Sequence, residues 1–283
     1  MGFTEEAISA EKNRKKPKAG RNLPMAIGVG LSLLALVGAS LWFTKAGFVA
    51  LVVVVVCLAI YELSGSLSKK YSSLPLVPLF VGSAGMIIST YIAGPDALMV
   101  SLMLTIATVV LWRIIDGNSV SAVRELSLSV FTVIYLPLMA SFLMLLLAQD
   151  NGQIKIVLFI LLAVANDVGG YVAGVFFGKH PLAPKISPKK SWEGFAGSII
   201  LATVVAIVGV KVFLDGSITN AILLGIVSTL TATLGDLFES LIKRDLGIKD
   251  MGTLLPGHGG VLDRIDSMLV SAPVVYLLLT FAI

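Results

Sequence analysis

Asp236, Glu239, Ser240 and Lys243 follow one another at i, i+3, i+4 and i+7, so a helix carries all four on one face. Beyond the break at Pro256-Gly257-His258-Gly259-Gly260, Asp263, Asp266 and Ser267 share a face at the start of the next apolar run. Two helix ends thus present carboxylates towards each other across a glycine-rich turn. Ten charged side chains lie between Gly235 and Ser267: Asp236, Glu239, Lys243, Arg244, Asp245, Lys249, Asp250, Asp263, Arg264 and Asp266. A charge at a membrane helix centre costs roughly 2.5–3.5 kcal/mol on insertion scales, so such a cluster must hold something. Carboxylates without imidazole or thiolate partners suit a hard cation such as Mg²⁺, bound through one or two carboxylates plus waters and substrate phosphates, and argue against zinc. His258 reads equally as a structural hydrogen-bonding residue and as a phosphate contact.

Two further clusters complete the chemistry. In the first, Asn166 and Asp167 precede Gly170, Gly174 and Gly178, whose four-residue spacing puts them on one face where a second backbone can approach closely. Glycine spacing alone is packing, but the Asp167 carboxylate beside it needs a cation, a metal or a water-filled cavity. In the second, KHPLAPKISPKKSWEG over 179–194 combines four lysines with three prolines and cannot be a continuous helix. Ser187, Lys189, Lys190 and Ser191 stand just before a helix N-terminus whose dipole favours anions, which points to phosphate recognition. Trp192 is read as an interfacial anchor in preference to a face for a base. Metal-binding carboxylates, cations and a lysine loop opening into a membrane are the parts that phosphoryl or nucleotidyl transfer needs. The donor would be a polyphosphate from water and the acceptor a molecule of the bilayer.

The elements that must position these groups are membrane helices. Of the 283 residues 57% are hydrophobic and only 13% charged, with a mean hydropathy of +0.96, which excludes an ordinary soluble domain. Taking about 20 apolar residues as one span, the chain predicts an all-α, polytopic membrane protein with nine spans, near 24–43, 46–63, 74–93, 96–115, 126–148, 154–177, 195–214, 219–242 and 265–283. Residues 1–22 carry six cations and read as a disordered basic cytoplasmic tail, 23–150 as helices one to five, and 151–283 as a catalytic unit of helices six to nine with cytoplasmic loops at 178–194 and 243–264. With the N-terminus inside, eighteen of the 21 lysines and arginines lie on the inner side and only Lys45, Lys155 and Lys211 outside, which sets that orientation and a cytoplasmic site.

Other residues are assigned bland roles. The single cysteine, Cys57, excludes an intramolecular disulfide and a thiolate metal cluster and is lipid-facing or packed filler. Glu62 reads as an interfacial residue or a partner of Lys69 and Lys70, and Pro137 as a kink. Buried carboxylates could also serve an ion-coupled transporter. No internal repeat with paired broken helices accompanies them, and the polar clusters lie near the inner face, where a transporter would keep its site at the midplane.

The run from Ser240 to Asp266 resembles the signature of the phosphatidate cytidylyltransferases, or CDP-diacylglycerol synthases: S-x-x-K-R-x4-K-D-x-G-x2-[LIF]-P-x-H-G-G-x-x-D-R-x-D, matched without departure. NDxGGY at 166–171 and SPKKSWEG at 187–194 extend the resemblance from about residue 160 to the end. It implies Mg²⁺-dependent transfer of a cytidylyl group from CTP to phosphatidate at the cytoplasmic side of a cell (inner) membrane, with a homodimer and no nucleic-acid partner. The same chemistry on a different lipid phosphate, such as an ether-linked one, is the neighbouring possibility. It further implies Asp236 and Asp263 as metal ligands, with a second, monovalent cation such as K⁺ beside them. Lys190, Lys243 and Arg244 are then expected to stabilise charge and Asp167 to orient or join the metal shell. Lys189, Ser187, Ser240, His258, Arg264 and Asp266 are expected to contact substrate or to support those that do.

Overall fold

A computed structural model describes residues 23–117, 121–255 and 259–283. Expectations for the 1–22 tail and for His258 fall outside the described residues. Among the described residues the chain is all-α apart from one small hairpin. Its helices are, in order, α1 (Leu23–Phe43), α2 (Lys45–Ser68), α3 (Leu76–Asp116), α4 (Ala122–Val133) continuing through a π-helical turn at Ile134–Leu138 into α5 (Met139–Ala148), α6 (Gly152–Phe177), α7 (Trp192–Phe213), α8 (Ile218–Leu246) and α9 (Leu262–Phe281). Seven segments among the described residues, α2, α3, the continuous α4–α5, and α6 to α9, are long and apolar enough to cross a membrane. The run Val52–Val56 in α2 would favour a strand in water, but a spanning segment must satisfy its backbone internally and becomes helical.

Helix α3 is a reversal rather than one rod. Gly94 sits at φ 73° and ψ −153°, immediately before Pro95, and helical geometry is lost there. Arg113 then donates to the carbonyl of Ser73 at 3.0 Å, and a Cβ on Gly82 would meet the Thr105 side chain. Residues 40 apart could not touch along a single helix, which would hold them about 60 Å apart at 1.5 Å per residue. At Pro137 the missing N–H and the bulk of the ring widen the helix into the π-turn, and Ser141 Oγ caps the Pro137 carbonyl at 2.7 Å.

The four C-terminal helices α6 to α9 pack in sequence and form the scaffold of the polar end. The α6–α7 crossing is backbone on backbone: a Cβ on Gly169 would lie 2.6 Å from the Gly197 carbonyl oxygen, and one on Gly194 would lie 2.9 Å from that of Gly170. Glycine spacing in α6 therefore does serve close packing. Core side chains such as Phe159, Met144 and Leu136 are fully buried, while Ile200, Val204 and Val208 line an outward face of α7.

Glu62 requires a correction. It does not pair with Lys69 or Lys70; it is buried, and its Oε2 accepts the Leu262 amide at 3.0 Å. Lys70 instead pairs with Asp245 at 2.9 Å, a carboxylate that also accepts from the Tyr71 hydroxyl at 2.5 Å. Hydrogen bonding of Lys70 itself, to Asp245 first and then to Tyr71, holds the exposed ammonium above its ordinary pKa.

Candidate active site

Three prolines interrupt the segment between α6 and α7, and it folds as an antiparallel hairpin of β1 (Pro181–Ala183) and β2 (Ser187–Ser191). Glu193, in the first turn of α7, fastens the hairpin base. It accepts the amides of Lys179 and His180 at 3.1 and 3.3 Å and lies 2.6 Å from His180 Nδ1. Ser191 caps α7 by accepting the Gly194 amide at 3.1 Å. This geometry swings β2 over the polar ends of α8 and α9 and delivers Lys190 into an ion pair with Asp236.

The result is a cavity of about 570 Å³ walled by α6, the hairpin, α7, α8, Asp250 beyond α8, and α9. Five carboxylates, Asp167, Asp236, Asp250, Asp263 and Asp266, face it together with four cations, Lys189, Lys190, Lys243 and Arg264. A larger groove of about 840 Å³ between α1, α6 and α7 has no ionisable side chain in its lining, so the smaller cavity is the one that gathers groups able to do chemistry.

Asp236, half-buried, receives the Lys190 pair on Oδ2 and the Ser240 hydroxyl on Oδ1 at 3.3 Å. Asp263 is nearly enclosed: Oδ1 lies 3.0 Å from Lys243 Nζ, and Oδ2 accepts the amides of Met251 at 3.0 Å and Gly260 at 2.8 Å. Lys243 also pairs with Glu239, whose side chain has no exposed surface. Asp266 accepts its neighbour Ser267's amide at 2.7 Å. Asp167 stands beside Asn166, 3.5 Å from its Nδ2.

Among the described residues, three of those expected in the site do not line the cavity. Arg244 is exposed and donates from Nε to the Ile186 carbonyl at 3.2 Å, tying the hairpin tip to the end of α8. Ser187 stands in β2 opposite Ala183, and Ser240 serves Asp236 from its own helix. Asp250, read from sequence as a loop residue, is on the wall, as is Asn166, whose Oδ1 is buried with no hydrogen-bond partner among the described residues. Glu239 was visible as a member of the i, i+3, i+4, i+7 face, but its complete burial was not.

The carboxylates on the wall offer only oxygen donors. Such donors suit a hard cation that takes one or two carboxylates from the protein and completes its shell with waters and phosphate oxygens. The orphaned Asn166 Oδ1 is a further hard donor on the same wall.

Fold and site together define an integral membrane protein with a charge-lined cavity at one end of an apolar helix bundle. The chain belongs to the Cytidylyltransferase family, whose model matches residues 25–282. It is similar to the phosphatidate cytidylyltransferase of Mycobacterium leprae (strain TN), with 39% identity over 285 residues, 95% of this chain and 91% of that one. The protein of the same name from Mycobacterium bovis is 38% identical over 275 residues, 93% of this chain and 90% of its own. That of Haemophilus influenzae is 44% identical over a shorter stretch of 128 residues, 44% of each chain.

Proposed function

We propose that the protein transfers the cytidylyl group of CTP to phosphatidate, giving CDP-diacylglycerol and pyrophosphate for phospholipid synthesis. The observation that carries this reading is the convergence of Asp236, Asp263, Lys190 and Lys243 on one cavity at the polar end of membrane helices. Relatives sharing nearly the whole chain bear the corresponding name.

In this reading a phosphate oxygen of the lipid attacks the α-phosphorus of CTP, one P–O bond forms there, and the bond from the α-phosphorus to the oxygen bridging the α- and β-phosphates breaks, so pyrophosphate leaves with that oxygen. Phosphatidate is already anionic, so no protein group needs to remove a proton. Lys190 and Lys243 offset charge on the phosphates, with Lys189 and Arg264 on the same wall. Asp236 and Asp263 would hold Mg²⁺, which when bound supplies charge neutralisation at the transferring phosphorus. Asp167 and Asp266 would orient that shell. Lys190 pairs with Asp236 and Lys243 with Asp263, so the two lysines stand where they would turn to nucleotide phosphates if the carboxylates held Mg²⁺. A monovalent cation such as K⁺ and a homodimer belong to the same reading, on the resemblance of the Ser240–Asp266 run.

Orientation follows the charge asymmetry: N-terminus and cavity cytoplasmic in a cell membrane. Counting the reversal at Gly94 as two crossings, and adding Leu23–Phe43, supports nine crossings.

The test is purified protein in detergent with CTP, phosphatidate and Mg²⁺, assayed for pyrophosphate and CDP-diacylglycerol, with an ether-linked lipid phosphate as competing acceptor. Both products are expected, with preference for the diacyl lipid. Absence of pyrophosphate release with either acceptor would reject the reading.

A further inference from the structure

Glu62, near the end of α2, lies in a part of the chain that the charged motifs leave out. It is only 5% exposed, and its Oε2 accepts the amide of Leu262, the first residue of α9, from 200 positions away. One helical turn later, on the same face of α2, Ser66 Oγ donates to the Met251 carbonyl at 2.8 Å. A Cβ on Gly252 would meet Glu62 Oε1, and a Cβ on Gly260 would lie 2.5 Å from Oε2. The carboxylate therefore fills a slot between two backbone segments, and that slot exists because residues 252 and 260 have no side chain. From the cavity side, Asp263 binds the amides of Met251 and Gly260, the residues next to and within this slot. Two carboxylates thus hold one loop from opposite faces, one from α9 and one from α2.

A leucine would fill the same slot without burying an oxygen that, like Glu62 Oε1, lacks a hydrogen-bond partner among the described residues. What an acidic or amide side chain adds is an acceptor for the otherwise unsatisfied Leu262 amide at a helix N-terminus. We propose that Glu62 is a positioning residue for the transfer reaction: by capping α9 and wedging between Gly252 and Gly260 it sets the loop whose amides orient the Asp263 carboxylate. The inference rests on the cytidylyl-transfer reading for its kinetic consequence, and on geometry alone for its hold on the loop.

Glu62→Gln keeps both shape and acceptor, Glu62→Leu keeps volume without the acceptor, and Gly252→Ala drives a methyl into the carboxylate. Each is purified in detergent and measured two ways: by hydrogen–deuterium exchange of the 251–262 amides without nucleotide or metal, and by kcat and Mg²⁺ half-saturation. Glu62→Leu and Gly252→Ala are expected to speed exchange in the loop at least tenfold, lower kcat about tenfold and raise the Mg²⁺ half-saturation several-fold. Glu62→Gln is expected to stay within about threefold of wild type on every reading. Wild-type exchange and kcat in folded Glu62→Leu overturn the proposal, as does a Glu62→Gln defect equal to that of leucine. Should Glu62→Leu fail to fold, Gly252→Ala decides, and normal exchange with normal kcat overturns the proposal. A wild-type protein that releases no pyrophosphate fails the cytidylyl-transfer reading separately, while the exchange experiment still decides whether Glu62 holds the loop.

Discussion

Lys190 of β2 is ion-paired with Asp236 of α8, so the lysine hairpin already reaches across the cavity to the carboxylate expected to hold metal. The pair is partly open, with 27% of the lysine and 35% of the aspartate side chain exposed. It is therefore accessible to an incoming phosphate–metal ligand. Asp236→Asn should lower kcat on the order of 10²-fold or more, the scale of losing one preorganised electrostatic group, with an unchanged melting temperature. Lys190→Ala should chiefly raise KM for CTP, and more so at high salt. Pyrophosphate release over a CTP titration reads both, and near-wild-type turnover by Asp236→Asn would remove that residue from the site.

Lys243 stands between Asp263 and the fully buried Glu239. Removing it by Lys243→Met leaves a buried carboxylate without its cation, a change that costs about 3–5 kcal/mol when a buried pair is broken. The double variant Lys243→Met/Glu239→Gln should regain most of that stability and none of the activity. Thermal unfolding in detergent beside a turnover assay separates the two roles. Equal instability of the single and double variants would show that Glu239 is not the group being neutralised.

A remote pair gives the matching control. Arg113 and Glu125 are 2.5 Å apart with side chains 10% and 7% exposed, joining the end of α3 to the start of α4. Neither lines the cavity. Glu125→Ala should destabilise the protein by about 3–5 kcal/mol while KM for CTP and the Mg²⁺ requirement of the folded fraction stay at wild-type values. A shifted KM would mean that α3 and α4 communicate with the site.

The backbone contact between α6 and α7 carries a fourth expectation. Gly169→Ala would put a methyl against the Gly197 carbonyl, where the gap is 2.6 Å, and the helices must part. Overpacking of this kind costs about 1–3 kcal/mol. Because α6 also carries Asp167 and α7 anchors the hairpin through Glu193, kcat should fall along with the melting temperature. A variant that loses stability and keeps full kcat would show that the crossing does not set the cavity.

A good part of this could be read from residue order. Apolar run lengths mark helices because a bilayer leaves the backbone no other internal partner. The spacing of Asp236, Glu239, Ser240 and Lys243 assigns them to one face because 3.6 residues make a turn. Helical period does not say which helix a face meets, how deeply a side chain is enclosed, or what an irregular loop binds. Hence Arg244 turned out to serve the hairpin tip, Asp250 to line the cavity, and Glu239 to be sealed from solvent. The helices, the glycines that permit close crossings and the set of charges available to the cavity are all legible in residue order. Their partners are set by packing: Lys190 with Asp236, Asp263 with the Met251 and Gly260 amides, and Glu62 with Leu262. Those choices depend on contacts between segments up to 200 residues apart, which packing of whole helices brings together and local residue order does not encode.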